Sequence, residues 1–538
     1  MALPDAGGQF PPPPFDIAYR EYAIHNAWLV GDADELERIY RMHQALRSPV
    51  LAGGLFAKIA RFFWGRQNRQ SNNKLHVPAA ADVARTMSDL LFSQPPTASV
   101  PEDWNGASKS KIQGRLDKIF NSDESTATYL EAAEVCSALG GTYLRLWWDD
   151  DLEPRVQMSA VHADAAIPTW RYGRLIAVTF WTKVLDEDGV VLRHLERHEP
   201  GRIIHGLYMG EDGVLGRQIP LEEAEATAWA ASQVNAEGFI ETGSRGLSAA
   251  YVPNVRPNRR WRSTPELSAL GRSDFDGLEP VFDALDEAYS SWMRDVDLGK
   301  GRLIVDEGLL SPGQRGKGAA FDSEQAIFTP LREQLGSGAN TSAAQVQAIQ
   351  FAIRWQEHSQ TCAELLNVIL RGAGLSSNNF SDSALTVGVP TATEVNSKDR
   401  LSERTRTKKT NYWRAALRPL MATALEIDDA KFGTGLHLAG ELPDLQFPTR
   451  SSQSPLELAN SLSMLASARA ISIYQMVVEQ HPNWSKTEIA EEVGRIEKQI
   501  AAETAPRVEP DEPDPNEPAD EPADEPADDD PFADPAAA

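Results

Sequence analysis

Leu278, Val281, Phe282, Leu285, Tyr289, Trp292, Met293 and Val296 recur at three- and four-residue steps. This spacing draws one apolar stripe along a helix of about twenty residues, or ~30 Å. Such a face has to be covered, within the chain or by another copy of it. A second long helix is predicted from about Ala343 to Arg371, opened by a capping box at Ser342 and Gln345. Between the two, residues 301–341 read as a β-containing, Gly-rich insertion ending in GSGAN. After the second helix comes GAGLSSNNFSDSALTVGVP, too long and polar for a simple connector. A third helix is predicted from the box Thr391–Glu394 to about Leu425.

Upstream, residues 1–15 form a Pro/Gly leader, expected to be mobile or to lie on a neighbouring molecule. Asp34 opens a helical stripe through Leu36, Ile39, Tyr40, His43 and Leu46. The chain from Leu75 starts extended, becomes helical near Asp82 and stops at Pro95–Pro96, and Lys111 to Leu139 is again helical. From Gly140 the period shortens to that of strands, with Gly, Pro and Asp-Gly turns, so residues 140–220 read as an antiparallel β region. A short helical insert (Leu221 to Val234) and an extended YVPNVRPNRRWR follow. Toward the end, SPLE (454–457) and SKTE (485–488) mark helix starts, giving a small helical domain over 454–502. EPADEPADEPADDD beyond it cannot bury enough apolar surface to order itself. The fold class is α+β.

Charge narrows the function. The net charge is −26, and thirteen acids with no cation lie between Glu509 and the end, so residues 1–508 carry the other −13. A body with that balance does not grip nucleic acid over a large surface, so any contact with DNA is local or sliding. Cys136 and Cys362 are far apart, which suits buried thiols in a reducing compartment. No signal peptide is expected, and no run approaches the ~18 apolar residues of a membrane span.

The chemical motifs are few. No Walker-A or dinucleotide fingerprint is present, and no cofactor is expected. His194, Glu196 and His198 alternate along one strand, with Glu199 and His205 nearby, and read as a solvated sheet face lacking a closing metal ligand. Asp149, Asp150 and Asp151, and Asp274 with Asp276, are the acid clusters that a magnesium-dependent nuclease would use; they equally mark a hairpin turn and a helix start. In KDRLSERTRTKK (398–409), Arg400, Arg404 and Lys408 share one helix face, with Arg406 and Lys409 beside it. That face is either merely solvated or in contact with phosphate or with an acidic neighbour.

The order of helix, insertion, helix, polar loop and helix resembles the portal proteins of tailed double-stranded DNA phages. The siphophage type of Gram-positive hosts, with actinobacteriophage-like text, is the nearest resemblance. It is carried by LHVPAAADVARTMSDLLFSQPP (75–96), GGTYLRLWWD (140–149), VPNVRPNRRWR (252–262), GRSDFDGLEPVFDALDEAYSSWMRDVDLGKGRLIV (271–305) and HPNWSKTEIAEEVGRI (481–496), spread over residues 15–500. The resemblance implies a flexible leader (1–15), a wing (16–275), a first stem helix (276–300), a clip (301–341) and a second stem helix (342–372). A tunnel loop (373–390), a long helix returning to the wing (391–453), a crown (454–502) and a disordered acidic tail (503–538) complete it. It implies a twelve-fold homo-oligomeric ring in the virion, at one capsid vertex, assembled in the host cytoplasm with the scaffolding and major capsid proteins. The ring would dock the terminase large subunit, later the head-completion or adaptor protein and the tail, and pass DNA without reading its sequence. It would not be an enzyme.

On that reading Asn378, Asn379, Phe380, Ser381 and Asp382 approach the DNA, and Asp283, Asp286, Glu287 and Asp295 face the channel or a neighbouring subunit. Arg400, Arg404 and Lys408 meet the next subunit or phosphate, and Arg315, Lys317 and Arg332 belong to the clip. The alternatives are a metal-dependent nuclease and a different head–tail connector.

Overall fold

The computed structural model describes residues 3–47, 74–101, 104, 109–299, 302–304, 347–349, 353–376, 392–436, 442–448, 455–481, 484 and 486–504. The chain divides into two compact units, Met1–Arg450 and Ser451–Ala538.

The larger unit opens with helices α1 (Phe15–Val30), α2 (Ala33–Arg47) and α3 (Ala79–Phe92), a short strand β1 (Thr97–Ser99), then α4 (Lys109–Ile119) and α5 (Asp123–Leu139). Ser122 starts α5 by accepting a hydrogen bond from Ser125 N at 3.3 Å. Gly140 ends it at φ +84°, where a Cβ would lie 2.7 Å from Ser273 N, so only glycine lets the chain turn here against the backbone of 271–273. The period-two region follows as β2 (Gly141–Asp149), β3 (Glu153–His162), β4 (Ala166–Arg171), β5 (Arg174–Glu187), β6 (Val190–Glu199), β7 (Arg202–Glu211) and β8 (Val214–Ile219). After α6 (Glu225–Gln233) come β9 (Phe239–Glu241) and β10 (Ala249–Pro253). All pairings are antiparallel: β10-β2-β3 form one sheet, and β4 to β8 another, with β9 added to β7.

The leader departs from its expected mobility. Gly7 N donates to Gly216 O (2.7 Å), Leu215 N to Gly8 O (2.9 Å) and Phe10 N to Gly213 O (2.9 Å), and Phe10 is buried edge-on against Trp181. The reason is the outer edge of β8, whose unpaired amides and carbonyls the leader satisfies from within the chain.

The remainder of the unit is helical. α7 (Glu279–Leu298) leads to β11 (Arg302–Ile304), which pairs with β12 (Gln347–Ile349) ahead of α8 (Trp355–Ala373). The second stem helix thus starts at Trp355 and not at Ala343, because Gln347–Ile349 is drawn into a ladder with Arg302–Ile304. α9 (Ala392–Phe432) is ~60 Å long, and β13 (Asp444–Gln446) closes the unit by pairing with β1.

Among the described residues three large packed clusters, and a small one of Leu192, Leu207 and Ala224, hold this unit together. Phe92, Tyr129, Leu144 and Val156 meet Trp413, Leu417 and Met421 of α9. Trp28, Leu36, Val83 and Met87 meet Phe282, Leu285, Ile369 and Leu370 of the α7–α8 pair. Tyr22 and Phe15 of α1 join Tyr143, Phe180, Leu195 and Tyr251 over the larger sheet. In the smaller unit α10 (Pro455–Ser467), α11 (Ile473–Gln480) and α12 (Lys486–Thr504) follow one another. Pro455 opens α10, as SPLE predicts, and Ser472 caps α11 by accepting from Gln475 N at 3.2 Å.

Candidate functional site

α7 and α8 are antiparallel: Leu278 abuts Gly372 at one end, while Asp295 meets Arg354 (3.0 Å) and His358 (3.0 Å) at the other. Trp292 stacks on His358 with ring centroids 6.2 Å apart. The hydrogen bonds from His358 and Arg354 hold the Asp295 carboxyl below the usual carboxylate range.

The four acids expected to face a channel or a neighbour separate into two kinds. Asp283 and Asp286 are each only 1% exposed. Asp286 accepts from Tyr40 Oη at 2.5 Å and Val77 N at 2.8 Å, with His76 Nδ1 at 3.1 Å. Lys74 Nζ bridges Asp283 (2.8 Å) and Glu287 (2.9 Å), and lies over the Tyr40 ring. Leu75 N donates to Ser290 Oγ, so the extended segment 74–77 is stitched along α7. Asp283 and Asp286 are therefore anchors inside the chain and present nothing to a channel in this subunit. Glu287 and Asp295 remain at the surface.

The basic run of α9 also divides. Lys409 turns inward and pairs with Asp274 Oδ2 at 2.5 Å, and Ser137 Oγ donates to the same oxygen at 2.7 Å. Arg406 turns inward too, donating to Leu90 O (3.0 Å) and Pro448 O (2.7 Å). Arg400, Arg404 and Lys408 stay exposed along the opposite face. Asp274 thus serves a buried ion pair and does not start α7. The helix start is built instead by Glu279, which accepts from Gly277 N (2.8 Å) and meets His25 (3.2 Å). Asp276 pairs with Arg260 at 2.8 Å. Asp149 accepts from Asp151 N at 3.0 Å across the β2–β3 turn. Among the described residues no group of three or more His, Cys, Asp or Glu side chains is arranged to hold a metal.

The histidines lie in a buried polar network, not on a solvated sheet face. Glu196 joins His198 Nε2 (2.8 Å) to Arg145 (2.6 Å), His198 Nδ1 meets Ser248 Oγ (2.7 Å), and His194 Nε2 meets His205 Nδ1 (3.1 Å). Residues from β2, β7 and α6 cover the face, Trp229 standing edge-on to His205. Burial opposes the Glu196 charge, but the His198 hydrogen bond and the charges of His198 and Arg145 hold its carboxyl far below the usual range. Burial pushes His205 down from 6.5 to about 4, against the pull of Glu196. Between those two values the unfolded chain takes up a proton that the folded chain refuses. Stability on this account is fully present above pH 6.5 and falls as the pH drops toward 4, by at most ~3 kcal/mol. Urea midpoints measured from pH 7 to 4 should fall more for the native chain than for His205→Gln; equal slopes would mean that the imidazole is not buried neutral.

The tunnel-loop residues Asn378, Asn379, Phe380, Ser381 and Asp382, and the clip residues Arg315, Lys317 and Arg332, lie outside the described residues. Sequence reasoning missed Tyr40, Lys74 and His76, whose anchoring depends on contacts across the chain. Lys409, placed beside the exposed basic face, was missed as well, although a signal was there: it stands four residues before Trp413 and eight before Leu417, in phase with the buried stripe.

A family model described as "Phage portal protein, SPP1 Gp6-like" matches residues 236–505, half of the chain. The chain belongs to this phage portal family. In this portal protein the match takes in the α7–α8 pair, the β11–β12 ladder, the whole of α9 and the three helices of the smaller unit. None of the curated proteins matches the portal protein's sequence. Among solved structures, a chain of "Virion of native gene transfer agent (GTA) particle" is 11% identical, with a TM-score of 0.41, covering 85% of the portal protein and 98% of that chain. A chain of "Neck of native GTA particle computed with C12 symmetry" is 12% identical (TM-score 0.36, 78% and 90% covered). One of "Neck of empty GTA particle computed with C6 symmetry" is 11% identical (TM-score 0.38, 80% and 95% covered). No described helix is long and apolar enough to cross a membrane.

Proposed function

We propose that this portal protein closes into a twelve-fold ring at one vertex of the capsid, and that double-stranded DNA enters and leaves along its axis. The observation that carries the reading is the family match over 236–505, which includes the antiparallel helix pair and the long α9. A ring joins each subunit to the next through two different surfaces, and closes because the rotation repeats. Residues 16–275 form its wing, α7 and α8 its stem, 301–341 its clip, 373–390 its tunnel loop and 454–502 its crown. The terminase large subunit docks at the clip and spends the ATP, while the ring turns over no substrate. Scaffolding and major capsid proteins surround it during assembly in the host cytoplasm, and head-completion and tail proteins replace the motor later. Glu287 and Asp295 are its surface stem acids, the first beside the subunit's own Lys74 and the second beside Arg354.

Electron microscopy of the purified full-length protein tests this. Rings with a central channel are expected. Monomers under every assembly condition, with no channelled ring, would overturn the reading.

A further inference from the structure

Resting on the portal reading, we infer that the outer face of α9, formed by Arg400, Arg404 and Lys408, binds the phosphate backbone of double-stranded DNA. All three side chains are exposed and pair with no described acid, in a chain whose net charge is −26. Elsewhere in the same unit several arginines are neutralised by acids, as in Arg115–Asp428, Arg145–Glu196 and Arg260–Asp276, whereas three cations unpaired among the described residues occur at successive turns of one helix face on α9. Like charges four residues apart destabilise a helix, so this arrangement is not there for the stability of α9.

The geometry suits phosphates. Residues four apart rise ~6 Å, so the stripe spans ~12 Å, while one strand of DNA offers a phosphate about every 3.4 Å along its axis. Three or so phosphates of one strand are therefore within its length. The surroundings point the same way. Asn411 continues the stripe, its oxygen taken by Arg414 Nη1 at 3.2 Å so that its NH2 group is left as a donor. Thr407 is exposed beside it, its hydroxyl donating to Glu403 O at 2.9 Å. Among the described residues Leu401, 39% exposed, is the most exposed large apolar side chain on this face, and the half-buried Tyr412 follows Lys408 one turn on. The cores of protein interfaces are depleted of charge, whereas Arg, Lys, Thr, Asn and Tyr are all usual phosphate-contacting side chains. A surface of this kind reads no bases. With an acidic body around it, the contact is confined to the stripe and weakens steeply with salt.

The test uses the full-length protein in its assembled form and a labelled short duplex, followed by fluorescence anisotropy over a series of salt concentrations. The triple variant Arg400→Gln, Arg404→Gln, Lys408→Gln should bind at least ~10-fold more weakly at low salt, with its log–log salt slope reduced by about 2–3. Arg171→Gln with Arg174→Gln, which removes exposed cations at the β4–β5 turn, should bind as the native protein does. Arg400→Lys with Arg404→Lys should retain most of the affinity. Unchanged affinity and slope in the triple variant would overturn the proposal, as would native protein that binds no DNA. Loss of rings in the triple variant, where the native protein forms them, would also overturn it and assign the stripe to an acidic surface of the next copy. The portal reading fails separately, if the native protein forms no ring yet loses DNA binding on substitution of the stripe.

Discussion

Replacing Asp274 by alanine is expected to destabilise the larger unit by about 3–5 kcal/mol, measured by urea unfolding. The Lys409 ammonium lies 2% exposed against a carboxylate that is 4% exposed. Removing the carboxylate leaves a cation in the interior, and the Ser137 hydroxyl loses its acceptor at the same stroke. Lys409→Met should cost a comparable amount, since it strands Asp274 in turn. The combined change Asp274→Ala, Lys409→Met should cost clearly less than the sum, because neither charge is then left alone. A loss below ~1 kcal/mol in Asp274→Ala would show that water reaches the pair. The nuclease alternative predicts a different pattern, in which stability is kept and a magnesium-dependent cleavage disappears.

Asp286→Ala is expected to cost roughly 2–4 kcal/mol and to release the segment that carries Lys74 to Val77. Two donors, Tyr40 Oη and Val77 N, would be orphaned in the interior at about 1–3 kcal/mol each. Burial, reinforced by the Asp286 hydrogen bond, raises the Tyr40 phenol above its ordinary range and keeps it a donor. Hydrogen exchange at Val77 N should accelerate in the variant. Glu287→Ala, at a carboxylate 61% exposed, should stay within ~0.5 kcal/mol. A stable Asp286→Ala protein with unchanged protection at Val77 would return this acid to the channel wall.

Much of the fold was legible because its signals are local. The change of period at Gly140, the helix start at Pro455 and the apolar stripe of α7 each depend on residues within a few positions of one another. The break at 120–122 was missed: Lys111 to Leu139, expected as one helical segment, is two helices, the second capped by Ser122. α1 was not legible. It is buried on two sides, Ala27 and Trp28 in one cluster and Phe15 and Tyr22 in another, so no single stripe stands out. The box at Ser342 misled for the opposite reason: a good local signal precedes Gln347–Ile349, which pairs instead with Arg302–Ile304.

The sequence by itself determined that a long amphipathic helix bordered by acids exists between Glu279 and Leu298, and that cations stand on one face of α9. Only the tertiary structure decided which of those charges meet water. On α7 alone Asp283 and Asp286 lie at the border of the apolar stripe, equally able to point out or in. Tyr40, 246 residues away from Asp286, and Lys74, 209 residues away from Asp283, close over that border. A partner so distant in sequence leaves no periodicity to read. Burial then turns the same carboxylates from surface charges into anchors, because a charge taken from water has to be matched where it lies.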